Sequence, residues 1–312
     1  MERTAVDRGQ VRRELGWYLL ATFVPTLALA ALAAGQGGLG KFPAAVLAMF
    51  VPMLAAMLVQ KRVARQPVFK GGLLGFRVGR ISWWLIAPVS AGVLVGLSFL
   101  ISFLLTPDLL ATGEALSGNL SKLPGVPDLG LSAEARTALL ILVALFLGSF
   151  FNLPVYLGEE VGWRGFMTPR LTLLYGRRGV LLAGLIWGVW HTPLILLGHN
   201  YPHHPLLGHL VWLPLCICFS ILLQAAYGAG RSIFVPALAH GAINQAAGVG
   251  MMTLFLASNA VDWLHGPVGL AGLTVFIAPA MWVYLRRPDL LVAASRLPGT
   301  PQHNAINGGE KP

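Results

Sequence analysis

Charge is what this chain has least of. Only 11% of its 312 residues are Asp, Glu, Lys or Arg, with 12 acids against 22 bases. Soluble domains carry roughly 25% charged residues, so a water-exposed globular fold is excluded and an integral membrane protein is indicated. Cysteine is almost as scarce. Cys216 and Cys218 stand two apart in an apolar run, where helical side chains project to nearly opposite faces and cannot readily bridge. They are read as lipid-facing or packed small residues. No Asp lies in a long apolar run, which argues against an aspartyl pair, and no HExxH places a zinc site on one helix. Ser98, Ser102, Ser149 and Ser220 stand in apolar runs, but none sits in a GxSxG-type elbow.

What is present is apolar length. Hydrophobic residues make up 56% of the chain, and uncharged runs cover about 17–36, 42–60, 82–106, 137–157, 180–198, 208–228, 232–256 and 267–285. Each approaches or exceeds what is needed to cross about 30 Å of hydrocarbon. The first resembles a signal peptide, with arginines before it and LALAALAAG near its end. It exceeds the usual core of roughly 7–15 residues and a second run follows at once, so it is read as a retained helix. The expected fold is an all-α, eight-span membrane bundle over 17–297, with its functional core at about 137–256. Residues 1–16 form an N-terminal segment, and the polar, Gly-rich 298–312 a disordered tail. The loop at about 107–135 is expected to carry a short surface helix. Pro154, Pro193, Pro214, Pro236 and Pro279 are read as kinks in or beside spans.

The placement of charge gives a direction. Of 22 Lys and Arg, 19 fall in alternate loops and at the termini; Lys41, Lys122 and Arg136 are the others. This positive-inside pattern puts both termini in the cytoplasm of a multi-pass cell-membrane protein. The basicity therefore reports topology, and the partner it implies is the lipid bilayer rather than nucleic acid. The opposite loops carry Asp108, Glu114, Asp128, Glu134 and Asp262, and also the segment HNYPHHPLLGH with His199, His203, His204 and His209. That segment is read as a polar outer loop, across the membrane from the groups considered next.

Against this apolar background a few polar residues stand out. Glu159 and Glu160 occur in GEEVGWRGF at the expected cytoplasmic edge of the fourth span, followed by Arg164, then His191, then His240 and Asn244. An acid at a membrane helix centre costs roughly 2.5–3.5 kcal/mol, which makes such groups functional candidates. Glu160 and Arg164 are four apart, acid first, the favourable order for a helical ion pair. Glu159 is turned by about 100° from Glu160 and lacks that partner. The spacing divides the labour: Glu160 braces, Glu159 works. His191 falls roughly 16 Å and His240 roughly 12 Å from the cytoplasmic ends of their spans, and Asn244 shares a face with His240. A carboxylate removed from water holds its proton more tightly, as suits a general base near neutrality, and an imidazole beside it can share the proton. A second imidazole and an amide are suitable donors to a developing oxyanion. Water attacking an amide carbonyl uses all four groups.

The three motifs, Glu159-Glu160-x-x-x-Arg164, Trp187-x-x-x-His191 and His240-x-x-x-Asn244, resemble those of the CAAX protease and bacteriocin-processing family of intramembrane proteases, whose eukaryotic branch includes the type II CAAX prenyl endopeptidase. The resemblance covers about 159–244. The family's second motif usually begins with Phe where this chain has Trp187. The resemblance implies that Glu159 and His191 activate water, that His240 and Asn244 stabilise the tetrahedral intermediate, and that Glu160 and Arg164 support the site. Family members are described as glutamate-dependent and as metalloproteases. Two His and one Glu are also a plausible zinc set. The site is read as metal-free, with Glu159, His191 and His240 as the ligands if a divalent metal is present.

The expected function is thus an intramembrane endopeptidase reached from the cytoplasmic side. Its substrate is a membrane-associated peptide or protein, CAAX-like or lipid-anchored among the options. Two rivals remain open: a catalytically silent immunity or scaffold protein, and a transporter, which would need polar groups continuing through the outer leaflet.

Overall fold

A computed structural model of the chain describes residues 7–69 and 74–293. Among these the structure is helical, with one isolated bridge between Leu110 and Phe255. The expected tail at 298–312 lies outside the described residues.

The order begins with α1 (Arg8–Gly35), α2 (Ala44–Arg62), α3 (Trp83–Leu105) and the short α4 (Gly113–Ser121). Next come α5 (Ala133–Val143), α6 (Ser149–Phe151), α7 (Leu153–Glu160) and α8 (Thr168–Tyr175). α9 (Arg178–Trp190), α10 (Thr192–Ile195), α11 (Pro205–Gly230), α12 (Phe234–Leu254), α13 (Leu270–Arg286) and α14 (Pro288–Ala293) complete it. The surface helix expected within 107–135 is α4. Helix α1 starts at Arg8, inside the expected N-terminal segment, because Asp7 caps it: its carboxylate accepts from Gly9 N and Gln10 N at 2.9 and 3.1 Å.

All eight apolar runs fall on helix, but they are not eight equal spans. Arg8–Gly35, Ala44–Arg62, Trp83–Leu105, Ala133–Phe151 and Pro205–Gly230 are long and apolar enough to cross a membrane, and Leu270–Arg286 is a shorter apolar helix. The fifth run breaks at His191, since Pro193 sits in the first turn of α10 and has no N–H to continue α9. The seventh forms α12, diluted by His240, Asn244 and Gln245. Large apolar side chains such as Trp17, Leu54, Leu85 and Leu104 stand exposed on the outside of the bundle, as expected where lipid rather than water covers them.

The fourth run carries the largest departure from a regular helix. α5 passes through a π-helical stretch, Ala144–Gly148, into α6, and α7 passes through a second, Val161–Met167, into α8. Helical backbone therefore continues well past Glu160. It presses against α2 through Gly158 and Gly162: a Cβ on Gly158 would strike Met49 O, and one on Gly162 would strike Pro52. Two glycines four apart on one face bring helix backbones together where no hydrophobic driving force is available. Gly184 and Gly188 do the same for α9 against Cys216 and Leu213 of α11. Both cysteines are buried and free, so they are packed residues rather than lipid-facing ones.

A buried polar tie joins the arginine-bearing end. Arg170 of α8 donates to Glu14 Oε2 of α1 at 2.7 Å and to Gln60 Oε1 of α2 at 3.0 Å. Around it, Tyr18 stacks on Phe166 with ring centroids 5.0 Å apart and meets Trp163 edge-on at 5.8 Å.

Candidate active site

Glu159, His191, His240 and Asn244 line one cavity of about 320 Å³ between α2, α7, α9, α11 and α12. The residues singled out from three separate motifs are therefore brought together by the fold. Glu159, Glu160, Arg164, His191 and His240 are all buried, whereas Asn244 is exposed within the wall.

Glu159 is not partnerless, as its spacing from charged residues implied. Trp187 Nε1 donates to its Oε2 at 2.7 Å and Trp163 Nε1 donates to the same oxygen at 3.3 Å. Trp163 follows Glu159 by four positions, as Arg164 follows Glu160; a search confined to charged partners passes over an indole N–H, though the spacing made it visible. Trp187, 28 residues away, belongs to another helix, and only the fold brings its indole to Glu159. Both bonds fall on Oε2, which leaves Oε1 as the oxygen available to a molecule in the cavity.

The two histidines are held by their Nδ1 atoms. His191 Nδ1 lies 2.8 Å from the Trp187 carbonyl. A carbonyl only accepts, so Nδ1 carries the hydrogen and Nε2 bears the lone pair. His240 Nδ1 lies 2.9 Å from Glu160 Oε1, the oxygen that also accepts from Arg164 Nη1 at 2.9 Å. The Glu160–Arg164 pair is thus present as expected, and Glu160 also orients His240. The Arg164 guanidinium lies 4.2 Å from the Trp187 ring centroid, giving the buried cation an aromatic face. Tyr156, unnoticed in the sequence, packs its ring 5.3 Å from His240 and accepts from Gln245 at 2.7 Å. Trp212 meets His191 edge-on at 4.9 Å.

These contacts bear on the zinc set. Among the described residues no three His, Cys, Asp or Glu side chains gather closely enough to hold a metal ion. Glu159, His191 and His240 as placed do not form such a group, and no step below is routed through a metal.

The cavity's position corrects the sequence reading of depth. Glu159 was expected at the arginine-bearing edge. The chain instead stays helical to Tyr175, so Glu159 lies within a continuing helical stretch rather than at its end. The cavity runs the other way, past Trp212 to His199, Asn200 and Val268. His199 is therefore on the cavity wall and not across the membrane from Glu159. The other three histidines are placed elsewhere: His204 pairs with Asp262 at 2.7 Å, His203 N also donates to Asp262, and His209 contacts Thr192.

Residues 135–246 match the family model described as type II CAAX prenyl endopeptidase Rce1-like. That stretch contains every residue of the three motifs. Over that stretch the chain is similar to an Rce1-like domain. A stretch of 65 residues is also 34% identical to CAAX prenyl protease 2 of Methanococcus maripaludis, covering 20% of this chain and 24% of that protein. The match thus spans about a quarter of the relative's length. The polar groups on the cavity come from α7, the end of α9 and α12, while α2 and α11 supply apolar walls.

Proposed function

We propose that this chain is an intramembrane endopeptidase, hydrolysing a peptide bond of a membrane-associated peptide or protein. The observation that carries the reading is the convergence of Glu159, His191, His240 and Asn244 on one cavity. The likeness to a named CAAX prenyl protease supports the same reaction class, and a CAAX-like or lipid-anchored substrate is one candidate among membrane peptides.

Water held between Glu159 Oε1 and His191 Nε2 loses a proton to the carboxylate as its oxygen attacks the carbonyl carbon. The negative charge that develops on the carbonyl oxygen is met by His240 and the Asn244 amide, donors on the same face of α12. For His240 to donate from Nε2, both ring nitrogens must carry hydrogen, and the Glu160 carboxylate on Nδ1 is the partner such an imidazolium needs. Collapse of the intermediate breaks the C–N bond. The proton taken from water passes to the leaving nitrogen, releasing one carboxylate and one amine. Trp187 orients both activating groups, through its indole to Glu159 and its carbonyl to His191.

A transport path is poorly supported, because Trp163, Arg164, Phe166 and Met167 close the arginine-bearing end below Glu159 and are fully buried. The decisive experiment is cleavage of membrane-reconstituted peptide libraries by purified protein, comparing wild type, Glu159→Ala, His191→Ala and Glu160→Ala, with and without chelator. Loss with Glu159→Ala and His191→Ala is expected. Undiminished cleavage by Glu159→Ala sinks the assignment of the base, and loss on chelation restored by zinc overturns the metal-free reading. No cleavage by any form favours the silent scaffold.

A further inference from the structure

We infer that a second cavity, between α3, α11, α12 and α13, binds a membrane lipid with an anionic headgroup: an acyl chain fills the cavity and the headgroup sits on Arg80 and Arg287. This space of about 420 Å³ is separate from the one that Glu159 lines. The inference does not depend on the proteolytic reading.

Four helices agree on how deep the cavity goes. Its inner wall includes Leu94, 11 residues after the start of α3, and Phe219, 11 residues before the end of α11. It also includes Ile243, 9 residues after the start of α12, and Phe276, 10 residues before the end of α13. All four of those termini lie at the arginine-bearing end. At 1.5 Å per residue the cavity reaches about 14–17 Å inward, half of a hydrocarbon layer of about 30 Å. That is the depth of one leaflet.

The lining suits a chain rather than a compact polar ligand. Ala91 of α3, Ala225, Ala226 and Ala229 of α11 and Ala239 of α12 keep the space open between the backbones. Ser90 and Trp282 line it and are exposed, so an acyl chain can enter sideways from the bilayer. The volume falls within the roughly 300–1,000 Å³ of small-molecule sites.

Charge at the mouth selects the headgroup. Arg80 and Arg287 are the charged side chains on the lining, with no acid beside them. Arg80 is fixed where the site needs it, since its backbone N–H donates to Gly230 O at the end of α11, 2.7 Å away. Its guanidinium has no partner among the described residues. Arg287 is held by Asp289 at 3.0 and 3.1 Å and presents its remaining donors. Trp83 and Trp282 flank the mouth, as indoles do at the membrane interface. Basic side chains at this level attract anionic lipids.

The test titrates the purified full chain in non-ionic detergent with phosphatidylglycerol, with phosphatidylcholine of the same chains, and with inorganic phosphate. Bound lipid is counted by mass spectrometry of the intact complex, and Tm is recorded alongside. Phosphatidylglycerol should bind and raise Tm, phosphatidylcholine should bind at least fivefold more weakly, and phosphate should do neither. Arg80→Gln, at an exposed position, should weaken phosphatidylglycerol roughly fivefold. Ala226→Leu, which fills the cavity, should abolish the Tm response; if it does not fold, Ala91→Leu fills the same space from α3. Equal binding of the two lipids overturns the headgroup assignment, and phosphate matching phosphatidylglycerol overturns the acyl one. Wild-type binding by Arg80→Gln or by the cavity-filling variant places the lipid elsewhere and defeats the inference. No cleavage is measured, so failure of the protease reading leaves this result untouched.

Discussion

Trp187 holds both members of the proposed water-activating pair: its indole N–H reaches Glu159 Oε2 at 2.7 Å, and its carbonyl receives His191 Nδ1 at 2.8 Å. The carbonyl contact survives any substitution at this position, whereas the indole contact does not. Trp187→Phe keeps a ring over Arg164 but removes the donor. Its kcat should fall about tenfold with KM little changed, the size of effect expected for one hydrogen bond to a charged group. Trp187→Ala, which also bares Arg164, should lose more. Equal activity of Trp187→Phe and wild type in steady-state kinetics would show that Trp163 alone suffices to orient the carboxylate.

Glu160 accepts from both Arg164 and His240 on one oxygen. Glu160→Ala leaves a fully buried guanidinium without its counter-ion, which should cost about 3–5 kcal/mol. Thermal unfolding in detergent should register this as a clear drop in Tm. The double variant Glu160→Leu with Arg164→Met removes both charges and should be more stable than Glu160→Ala alone. A double variant no better than the single one would refute the pairing argument.

Gly158→Ala and Gly162→Ala test the approach of α7 to α2. Each added methyl meets backbone or proline rather than a flexible side chain, so the helices must separate. Overpacking of this kind costs about 1–3 kcal/mol, and the shift should carry Glu159 with it. Folded yield and activity should fall together, more for the pair than for Gly96→Ala, where nothing obstructs a Cβ.

Asp262 gives a pH dependence outside the membrane. Burial pushes its carboxyl up, but the backbone N–H groups of His203 and His204 and the His204 ring outweigh this, and the carboxyl sits below its ordinary value of 3.8. A carboxyl lowered in the folded state contributes stability above its unfolded value and loses it as pH falls through the lower folded one. The 199–205 connection should therefore resist limited proteolysis unchanged down to about pH 4 and loosen below it. Asp262→Asn should be cleaved more readily at neutral pH and lose most of that acid dependence.

Much of this architecture was legible along the chain. Low charge, long apolar runs and asymmetric arginines identified a helical membrane protein, and three short motifs named the residues now found on one cavity. Local spacing also anticipated Glu160–Arg164, because an i, i+4 pair needs only a helix. The same rule places Trp163 beside Glu159, but an uncharged indole does not stand out in an apolar run. A glutamate pair marks the expected end of a span by its charge, yet buried partners let helical backbone continue from α7 into α8, past Arg164 and Arg170.

What the amino-acid sequence determined by itself was the class of the fold, the position of its helices and the identity of its costly polar groups. Those follow from apolar length and charge placement, which are properties of neighbouring residues. The partners of Glu159, the sharing of Glu160 between Arg164 and a histidine 80 positions away, and the end at which the cavity opens were decided only in three dimensions. They depend on how far each helix is rotated and how closely it approaches another. Glycines such as Gly158 and Gly162 permit that approach, but only the packed bundle determines it.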